Sequence, residues 1–333
     1  MSTLLDMSDL SKLYPLRRGL LAALRGGEEP MLRAVDGVSL RLSAGEIIAI
    51  VGESGSGKTT TGKLATLQEQ PTSGTIHFEG RDVLGLRGAE LKEYRRRVQM
   101  IFQNPYEALD PRYTILRAII EPLEIHGIGT GPERKDLAEA MLGKVDLRPT
   151  ARFAGRYPAD LSGGQLQRVA IARALVLGPR LVIADEPVSM LDVSVRAGIM
   201  NLMLSLSGEL GLASLYITHD LAVARAMSTR IAVMYLGALV EEGPTETLVS
   251  GAAHPYTRLL VGAVPEHRAG SRRARVRMTG EATSMSSRPQ GCRFAPRCPR
   301  ARPICTTAVP APLKISDGHW SACHFAAEVA AES

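Results

Sequence analysis

The chain has 333 residues, of which 45% are hydrophobic, 22% charged and 4% aromatic, and its formal net charge is +6. This balance is typical of a globular protein and excludes a chain that is disordered throughout. The length suits one main domain with a smaller second unit. No apolar run approaches the roughly 20 residues that a membrane-spanning helix needs. The opening sequence MSTLLDMSDLSKLYP also lacks the pattern of a secretory signal, so we expect a cytosolic protein.

Positive charge is concentrated in one short segment late in the chain. Three interpretations are open: a solvated surface loop, a contact with an anionic membrane or acidic partner, or a nucleic-acid contact. No aromatic residues are interleaved to stack on bases, which favours the surface loop. The residues concerned are Arg268, Arg272, Arg273, Arg275 and Arg277.

In chain order, the first clear element is a strand over 46–51, EIIAIV, followed by a glycine-rich loop and a helix that stops before Pro71. Between 103 and 160 the composition is mainly helical, but prolines and glycines interrupt it often. This predicts a helical insertion. Two further apolar runs, 181–186 and 214–220, end in polar residues, and each follows a predicted helix, at roughly 165–177 and 193–210. Strands that alternate with helices predict a parallel sheet with function at the carboxyl ends of its strands.

The last third of the chain changes in character. Residues 231–243 predict two short strands around Leu236 and Gly237, and the sequence HPYTRLLVGAV begins another helix. From about Pro265 the chain is rich in Arg, Ser and Pro, and a cysteine-containing segment follows. Each motif described below occurs once, which indicates one nucleotide-binding unit per chain.

The loop GESGSGKT, residues 52–59, fits the phosphate-loop pattern and lies between a predicted strand and a predicted helix. Glycines allow successive N–H groups to turn inward at a helix N-terminus, where they bind phosphate oxygens. Lys58 would contact the β- and γ-phosphates, and Thr59 would bind Mg²⁺. The alternative is a plain glycine-rich turn, which the flanking strand and helix disfavour.

The run LVIADE places two carboxylates at the end of a buried strand. Asp185 would act through the metal ion, and Glu186 would orient and polarise the attacking water. An acidic loop after a core strand is the alternative, and the presence of the phosphate loop makes it the weaker one.

The sequence LSGGQ, residues 161–165, resembles the signature of the ATP-binding cassette (ABC) family. A serine and two glycines that open a helix also form a second anion site. In the family, the signature of one subunit completes the phosphate loop of another. The resemblance therefore implies a dimer that shares two ATP molecules. The ATP-binding residues that it implies are Tyr14, Gly52, Ser54, Gly55, Ser56, Gly57, Lys58, Thr59, Thr60, Ser162, Gly163, Gly164, Gln165 and Asp192.

Further family positions follow one at a time from the resemblance. Gln103, in VQMIFQNP, matches the glutamine that senses Mg²⁺ and water, and His219, in ITHD, matches the histidine that contacts the γ-phosphate. Asp192 belongs to the segment that crosses the dimer interface, where Met190 replaces a smaller residue. Tyr14 is the candidate for stacking on adenine, with a buried core tyrosine as the alternative. The resemblance thus implies Glu186, His219, Gln103 and Lys58 as catalytic residues, and Thr59, Gln103 and Asp185 as Mg²⁺ ligands.

Several longer stretches resemble the ATPase subunits of dipeptide and oligopeptide importers, among them FQNPYEALDPR, IADEPVSMLDVSVRAGIMNLM and HPYTRLLVGAVP. This implies the family's α/β P-loop fold, with a parallel-sheet core, an antiparallel β subdomain and a helical subdomain at about 104–165. We divide the chain into a nucleotide-binding domain, 1–250, and a cysteine-containing extension, 251–333.

The resemblance also implies partners. They are a second cassette ATPase, two transmembrane permeases and an extracytoplasmic solute-binding protein, with this chain peripheral on the cytoplasmic face of the inner membrane. Import of nickel or another small solute is an alternative. Two alternatives come from other functional classes. One is a soluble cassette ATPase that acts on nucleic acid, and the other is a redox or metal sensor with a vestigial ATPase. We expect no nucleic acid, because the two cassettes or large insertions usual in such proteins are missing.

All four cysteines lie near the end of the chain, with the spacing C-x5-C-x6-C-x17-C. A reducing cytosol disfavours disulfides. Zinc fits four sulfurs, but zinc ribbons usually use close C-x2-C pairs. A 4Fe-4S cluster tolerates wider spacing, and the resemblance to peptide-importer ATPases implies one. Structural cysteines without a metal are the third alternative. The ligands would be Cys292, Cys298, Cys305 and Cys323.

Overall fold

A computed structural model describes residues 2–16, 31–263 and 290–332. The arginine-rich segment 268–277 lies outside the described residues. The strands are β1 Thr3–Pro15, β2 Met31–Ser43, β3 Ile47–Val51, β4 Ser73–Phe78, β5 Arg81–Asp82, β6 Val98–Ile101, β7 Leu181–Asp185, β8 Ala213–Thr218, β9 Arg230–Tyr235, β10 Ala238–Pro244, β11 Leu313–Ser316 and β12 His319–Ser321.

The α-helices in the same ranges are α1 Lys58–Ala65, α2 Gly88–Arg97, α3 Ile115–His126, α4 Gly131–Lys144, α5 Ala151–Ala154, α6 Gly163–Leu175, α7 Val193–Leu210, α8 Leu221–Met227, α9 Thr245–Ser250, α10 Pro255–Ala263, α11 Pro303–Thr307 and α12 Ala326–Ala331. Short 3₁₀ helices cover Pro105–Ala108, Pro158–Asp160 and Ala295–Arg297.

The main sheet has the strand order β11-β12-β10-β9-β3-β8-β7-β6 across the described residues. Strands β6, β7, β8, β3 and β9 run parallel, and Val51 at the end of β3 pairs with Thr218 and Val233. Strands β7 and β8 are buried along their whole length, as their near-continuous apolar sequences require. The predicted parallel-sheet core is confirmed, and the carboxyl ends of β3, β7 and β8 meet at one edge.

Strand β3 separates two apolar clusters, because its side chains alternate between the two faces of the sheet. Ile48 and Ile50 pack with the second sheet, which has the order β2-β1-β4-β5 and is antiparallel. Ala49 and Val51 belong to the cluster formed with the helical region. The antiparallel β subdomain that the family resemblance implies is therefore present.

The predicted helical insertion contains α3, α4 and α5. Ile115, Ile119 and Leu123 recur on one face of α3 and are fully buried. They share a cluster with Ala138 and Leu142 of α4, so the two helices bury their apolar stripes together. This region follows β6 directly, which places it beside the carboxyl edge of the sheet.

The C-terminal extension adds two strands to the main sheet. Glu241 of β10 pairs with Ser321 of β12, and β11 lies outside β12. The division of the chain near residue 250 stays a prediction, although the sheet is continuous across it. No helix among the described residues has both the length and the apolar character needed to cross a bilayer.

A buried contact between a histidine and a carboxylate joins the end of the extension to strand β10. His319 Nε2 lies 2.8 Å from Glu241 Oε1, with 1% and 0% of the two side chains exposed. Glu241 also accepts the backbone N–H groups of Ala253 and His254, at 2.6 and 3.0 Å. One carboxylate therefore holds three donors from two different segments.

We predict that Glu241→Ala lowers the free energy of unfolding by about 3 kcal/mol, because it leaves three buried donors without an acceptor. Chemical denaturation of the purified protein measures this change. The control is Glu246→Ala, which removes an exposed partner of Arg225 and should cost about 0.5 kcal/mol or less. Equal losses in the two variants would contradict the role of the buried pair.

Candidate functional site

The phosphate loop forms at the carboxyl end of β3, between that strand and α1, as predicted. Lys58 is 4% exposed, and its Nζ donates to the carbonyl oxygens of Gly52 and Glu53, both at 2.8 Å. Burial lowers the pKa of Lys58, and the carboxylates of Glu186, Asp185 and Glu53 oppose that shift. The ammonium group therefore has two close carbonyl oxygens from the loop and the negative charge of nearby carboxylates.

Gly57 shows why this loop needs glycine. Its φ is +105°, and a Cβ atom there would lie 2.1 Å from the carbonyl oxygen of Ala34 in β2. Both the backbone conformation and the close approach of β2 exclude a side chain. The turn lets α1 begin at Lys58, so the N-terminus of the helix faces the loop.

Asp185 ends β7 next to Thr59. The Thr59 hydroxyl donates to Asp185 Oδ1 at 3.1 Å, and Asp185 is 5% exposed. Burial raises the pKa of Asp185, while the hydrogen bond from Thr59 lowers it. A hydroxyl and a carboxylate in contact are oxygen ligands of the kind that Mg²⁺ prefers. The donor set therefore fits the Mg²⁺ that an ABC ATPase uses with ATP.

Two of the predicted catalytic side chains, His219 and Gln103, contact Glu186. Its Oε1 lies 2.9 Å from His219 Nδ1, and its Oε2 accepts from Gln103 Nε2 at 3.3 Å. The residue has φ of +45°, a left-handed conformation that is unusual for a side chain of this size. Its backbone N–H donates to Ile217 O at 2.8 Å, which fixes the turn after β7. The structure thus brings together residues that follow the carboxyl ends of β6, β7 and β8.

The segment 189–192 leads from this site to the surface. Arg196 holds it from α7, donating to the carbonyl oxygens of Leu191 at 2.7 Å and Ser189 at 3.0 Å. Met190 is 65% exposed and Val193 is 81% exposed. Asp192, which precedes α7, therefore lies between two exposed apolar side chains.

The signature begins α6. Ser162 caps the helix, accepting from the Gln165 N–H at 3.4 Å, while Gln165 Oε1 accepts from the Ser162 N–H at 3.1 Å. A Cβ atom on Gly164 would lie 2.5 Å from Val195 Cγ1 of α7, so a side chain there would require Val195 to move. The described contacts of Ser162, Gly163, Gly164 and Gln165 are with α6, α7 and the 189–192 segment, and not with the phosphate loop of the same chain.

Tyr14 lies near the end of β1 and contacts Thr60 in the first turn of α1. Its hydroxyl donates to Glu69, and Lys12 Nζ is 5.1 Å from the centre of its ring. Burial and the Glu69 contacts raise the pKa of Tyr14 to about 12. The tyrosine is half-buried beside the start of α1, and its stacking on adenine stays a prediction.

Two residues that contact the phosphate loop, Tyr256 and Arg297, were not predicted from the sequence. Tyr256 of α10 accepts the Glu53 N–H, and Arg297 of the extension pairs with the Glu53 carboxylate. The acidic Glu53 was the one sequence signal that such a partner exists. An acidic residue in a loop that binds phosphates requires a nearby cation to offset its charge.

The four cysteines line one small cavity, together with His254, Phe294 and Phe325. Each is a free thiol, and burial raises the pKa of Cys323 to about 11. Within the described ranges, however, no group of three or more His, Cys, Asp or Glu side chains is arranged to hold a metal ion. The predicted cluster or zinc site is therefore not confirmed, although its proposed ligands share a cavity.

Comparison with known proteins gives two matches to family models. Residues 35–189 match the ABC transporter family, and residues 240–305 match the C-terminal region of oligopeptide/dipeptide transporters. The chain is 44% identical to the oligopeptide transport ATP-binding protein AppF of Bacillus subtilis, covering 97% of each chain. It is 43% identical to the dipeptide transport ATP-binding protein DppF of Escherichia coli, covering 96% of this chain and 93% of that protein.

Among solved structures, the chain resembles a dimeric, post-hydrolysis state of the ATP-binding cassette MJ0796 bound to ADP and Pi. The TM-score is 0.63 at 33% identity, with 72% of this chain and 98% of the other covered. The fold, the phosphate loop with its acidic strand end, and the near full-length relatives all agree. The chain belongs to the ATP-hydrolysing subunits of the ABC transporter family.

Proposed function

We propose that this chain powers peptide import by closing on a second cassette ATPase across two ATP molecules. The observation that carries the ATPase role is the convergence of Gln103 and His219 on Glu186, beside the phosphate loop. The peptide assignment is supported by the named relatives and by the match to the oligopeptide/dipeptide transporter region.

In this proposal ATP binds with its phosphates in the loop, where Lys58 exchanges the carbonyls of Gly52 and Glu53 for phosphate oxygens. Thr59, Asp185 and Gln103 would hold Mg²⁺, which supplies charge neutralisation at the phosphates when bound. Glu186 accepts a proton from the attacking water, and His219, 2.9 Å from it, orients the carboxylate and reaches the γ-phosphate.

Two exposed surfaces support the proposed dimer. Ser162 and Gly163 at the start of α6 are exposed, although a helix N-terminus of this kind suits an anion. Met190 and Val193 flank Asp192 and leave apolar surface in water. A second cassette would cover both, so that the signature of each subunit meets the ATP of the other. Two permeases would then hold the pair peripherally at the cytoplasmic face of the membrane, with a solute-binding protein outside.

We expect Glu186→Gln to lower ATP hydrolysis at least about 100-fold while MgATP still binds and drives association, because the amide keeps the shape but cannot accept the proton. Lys58→Ala should instead weaken nucleotide binding itself. Phosphate release, nucleotide titration and light scattering measure the three properties. Hydrolysis by Glu186→Gln at the wild-type rate would refute the assignment of the base.

Uptake of labelled di- and oligopeptides tests the cargo. Cells that lack this chain should lose uptake, and the wild-type chain should restore it while Glu186→Gln should not. Normal peptide uptake without the chain, or loss of nickel uptake alone, would contradict the peptide assignment.

Coupling to the permeases gives a further prediction. Tyr106, 55% exposed in the 3₁₀ helix that follows Gln103, lies where the site meets the helical region. In the assembled complex, Tyr106→Ala should lower transport about tenfold and ATPase activity less than about twofold, since contact with the permease and not the chemistry is lost. Leu313→Ala, at an exposed residue of β11, is the control. Equal loss of transport and hydrolysis would argue against coupling through Tyr106.

We also propose a 4Fe-4S cluster at the four cysteines, with zinc as the alternative. Support comes from the donor set and from the shared cavity, although the side chains must shift before four sulfurs can meet one group. Anaerobic purification should yield about four iron and four sulfide per chain, and Cys305→Ser should lose both. One zinc without iron would replace the cluster with a zinc site, and metal-free protein would contradict both.

A further inference from the structure

Glu53 is the one acidic residue in the loop GESGSGKT, and three separate contacts hold it. Its backbone N–H donates to the Tyr256 hydroxyl at 2.9 Å. Its carbonyl oxygen accepts from Lys58 at 2.8 Å. Its carboxylate receives two parallel hydrogen bonds from the Arg297 guanidinium, at 2.8 and 3.0 Å. Two of these three partners come from beyond residue 250.

Burial and several contacts fix the position of the Arg297 side chain. Its side chain is 9% exposed, and it also donates to the Tyr235 hydroxyl at 3.3 Å. Its guanidinium carbon lies 5.9 Å from the centre of the Tyr235 ring. The residue ends the 3₁₀ helix Ala295–Arg297, directly before Cys298. A bidentate pair of this kind, with the guanidinium buried and the carboxylate partly exposed, is better oriented than a fully exposed ion pair.

Tyr256 is equally fixed. Its ring lies 4.7 Å from that of Tyr235 and 5.4 Å from that of Phe294, measured between ring centres. Phe294 in turn lines the cysteine cavity. A continuous set of packed side chains therefore runs from the cysteines to the first turn of the phosphate loop.

We propose that Arg297 and Tyr256 are positioning residues for ATP, through which the C-terminal extension holds the phosphate loop in its binding conformation. The proposal rests on ATP binding at this loop and not on the peptide assignment. Two physical effects support it. A loop that is already ordered binds without a further loss of entropy. The Arg297 charge also offsets the Glu53 carboxylate, which would otherwise repel the triphosphate.

The test is a double-mutant cycle read by calorimetric titration with the magnesium complex of AMP-PNP, a nonhydrolysable ATP analogue. Arg297→Met should weaken binding about five- to tenfold, because the carboxylate is left unpaired beside the phosphates. In a Glu53→Gln background, the same change should alter binding less than about twofold, since no charge remains to offset. In ATPase assays, KM should rise while kcat stays within about twofold, which a general loss of structure would not produce.

Arg300→Met provides the matched control. Arg300 belongs to the same segment and lines the cysteine cavity, but it pairs with Glu332. Its replacement should leave nucleotide affinity unchanged. Wild-type protein in the same titration shows that the loop binds nucleotide at all, which separates failure of this proposal from failure of the ATPase role.

The proposal is overturned if Arg297→Met binds within twofold of wild type, or if it weakens binding equally in both backgrounds. Should thermal unfolding show that Arg297→Met does not fold, Tyr256→Phe replaces it. That change removes only the hydroxyl that accepts the Glu53 N–H, and it should weaken binding about threefold. Unchanged affinity in Tyr256→Phe would then overturn the proposal.

Discussion

The buried ammonium group of Lys58 determines the shape of the phosphate loop. A charge removed from water needs oxygen partners, and here two carbonyl oxygens of the loop lie 2.8 Å from Nζ. The backbone must curl around the lysine to supply them. Because the loop is attached to β3 at one end and to α1 at the other, this curl fixes how strand and helix meet. In the proposed ATP complex, phosphate oxygens would take the place of those carbonyls around Lys58.

The pKa values of the carboxyl groups around Lys58 depend partly on the same charge. Asp185 is buried, and burial raises its pKa, while the Thr59 hydroxyl and the Lys58 charge oppose that rise. The pKa of Lys58 is lowered by burial and raised by the nearby carboxylates. The lysine and the carboxylates therefore each oppose the pKa shift that burial causes in the other. Glu186 adds a strained backbone, with φ of +45°, that aims its carboxylate at His219 and Gln103. The sheet supports this strain because β7 and β8 are buried along their full length.

Features that depend on residues close together in the sequence could be predicted from the sequence alone. The phosphate loop needs its glycines, the signature needs a capping serine, and α7 spans Val193–Leu210 as the apolar pattern predicts. The long strands β1 and β2 left no such pattern, because irregular register interrupts the alternation of their side chains. The residue pair Glu53 and Arg297 is separated by 244 positions, and two residues that meet only in the folded chain produce no periodicity. The same holds for the cysteine cavity, whose walls come from the start of α10 and from three later parts of the extension.

The addition of β12 to the main sheet also has a protective effect. Backbone groups of β10 that would otherwise face solvent are paired at Glu241 and Glu242 with Ser321 and Trp320. A sheet with an open, regular edge invites strands from other molecules to pair with it. Proteolysis within residues 313–321 would expose such an edge on every damaged copy. The cysteine-containing tail therefore shields this part of β10 from pairing with other chains and leaves the short strand β11 as the edge of the sheet.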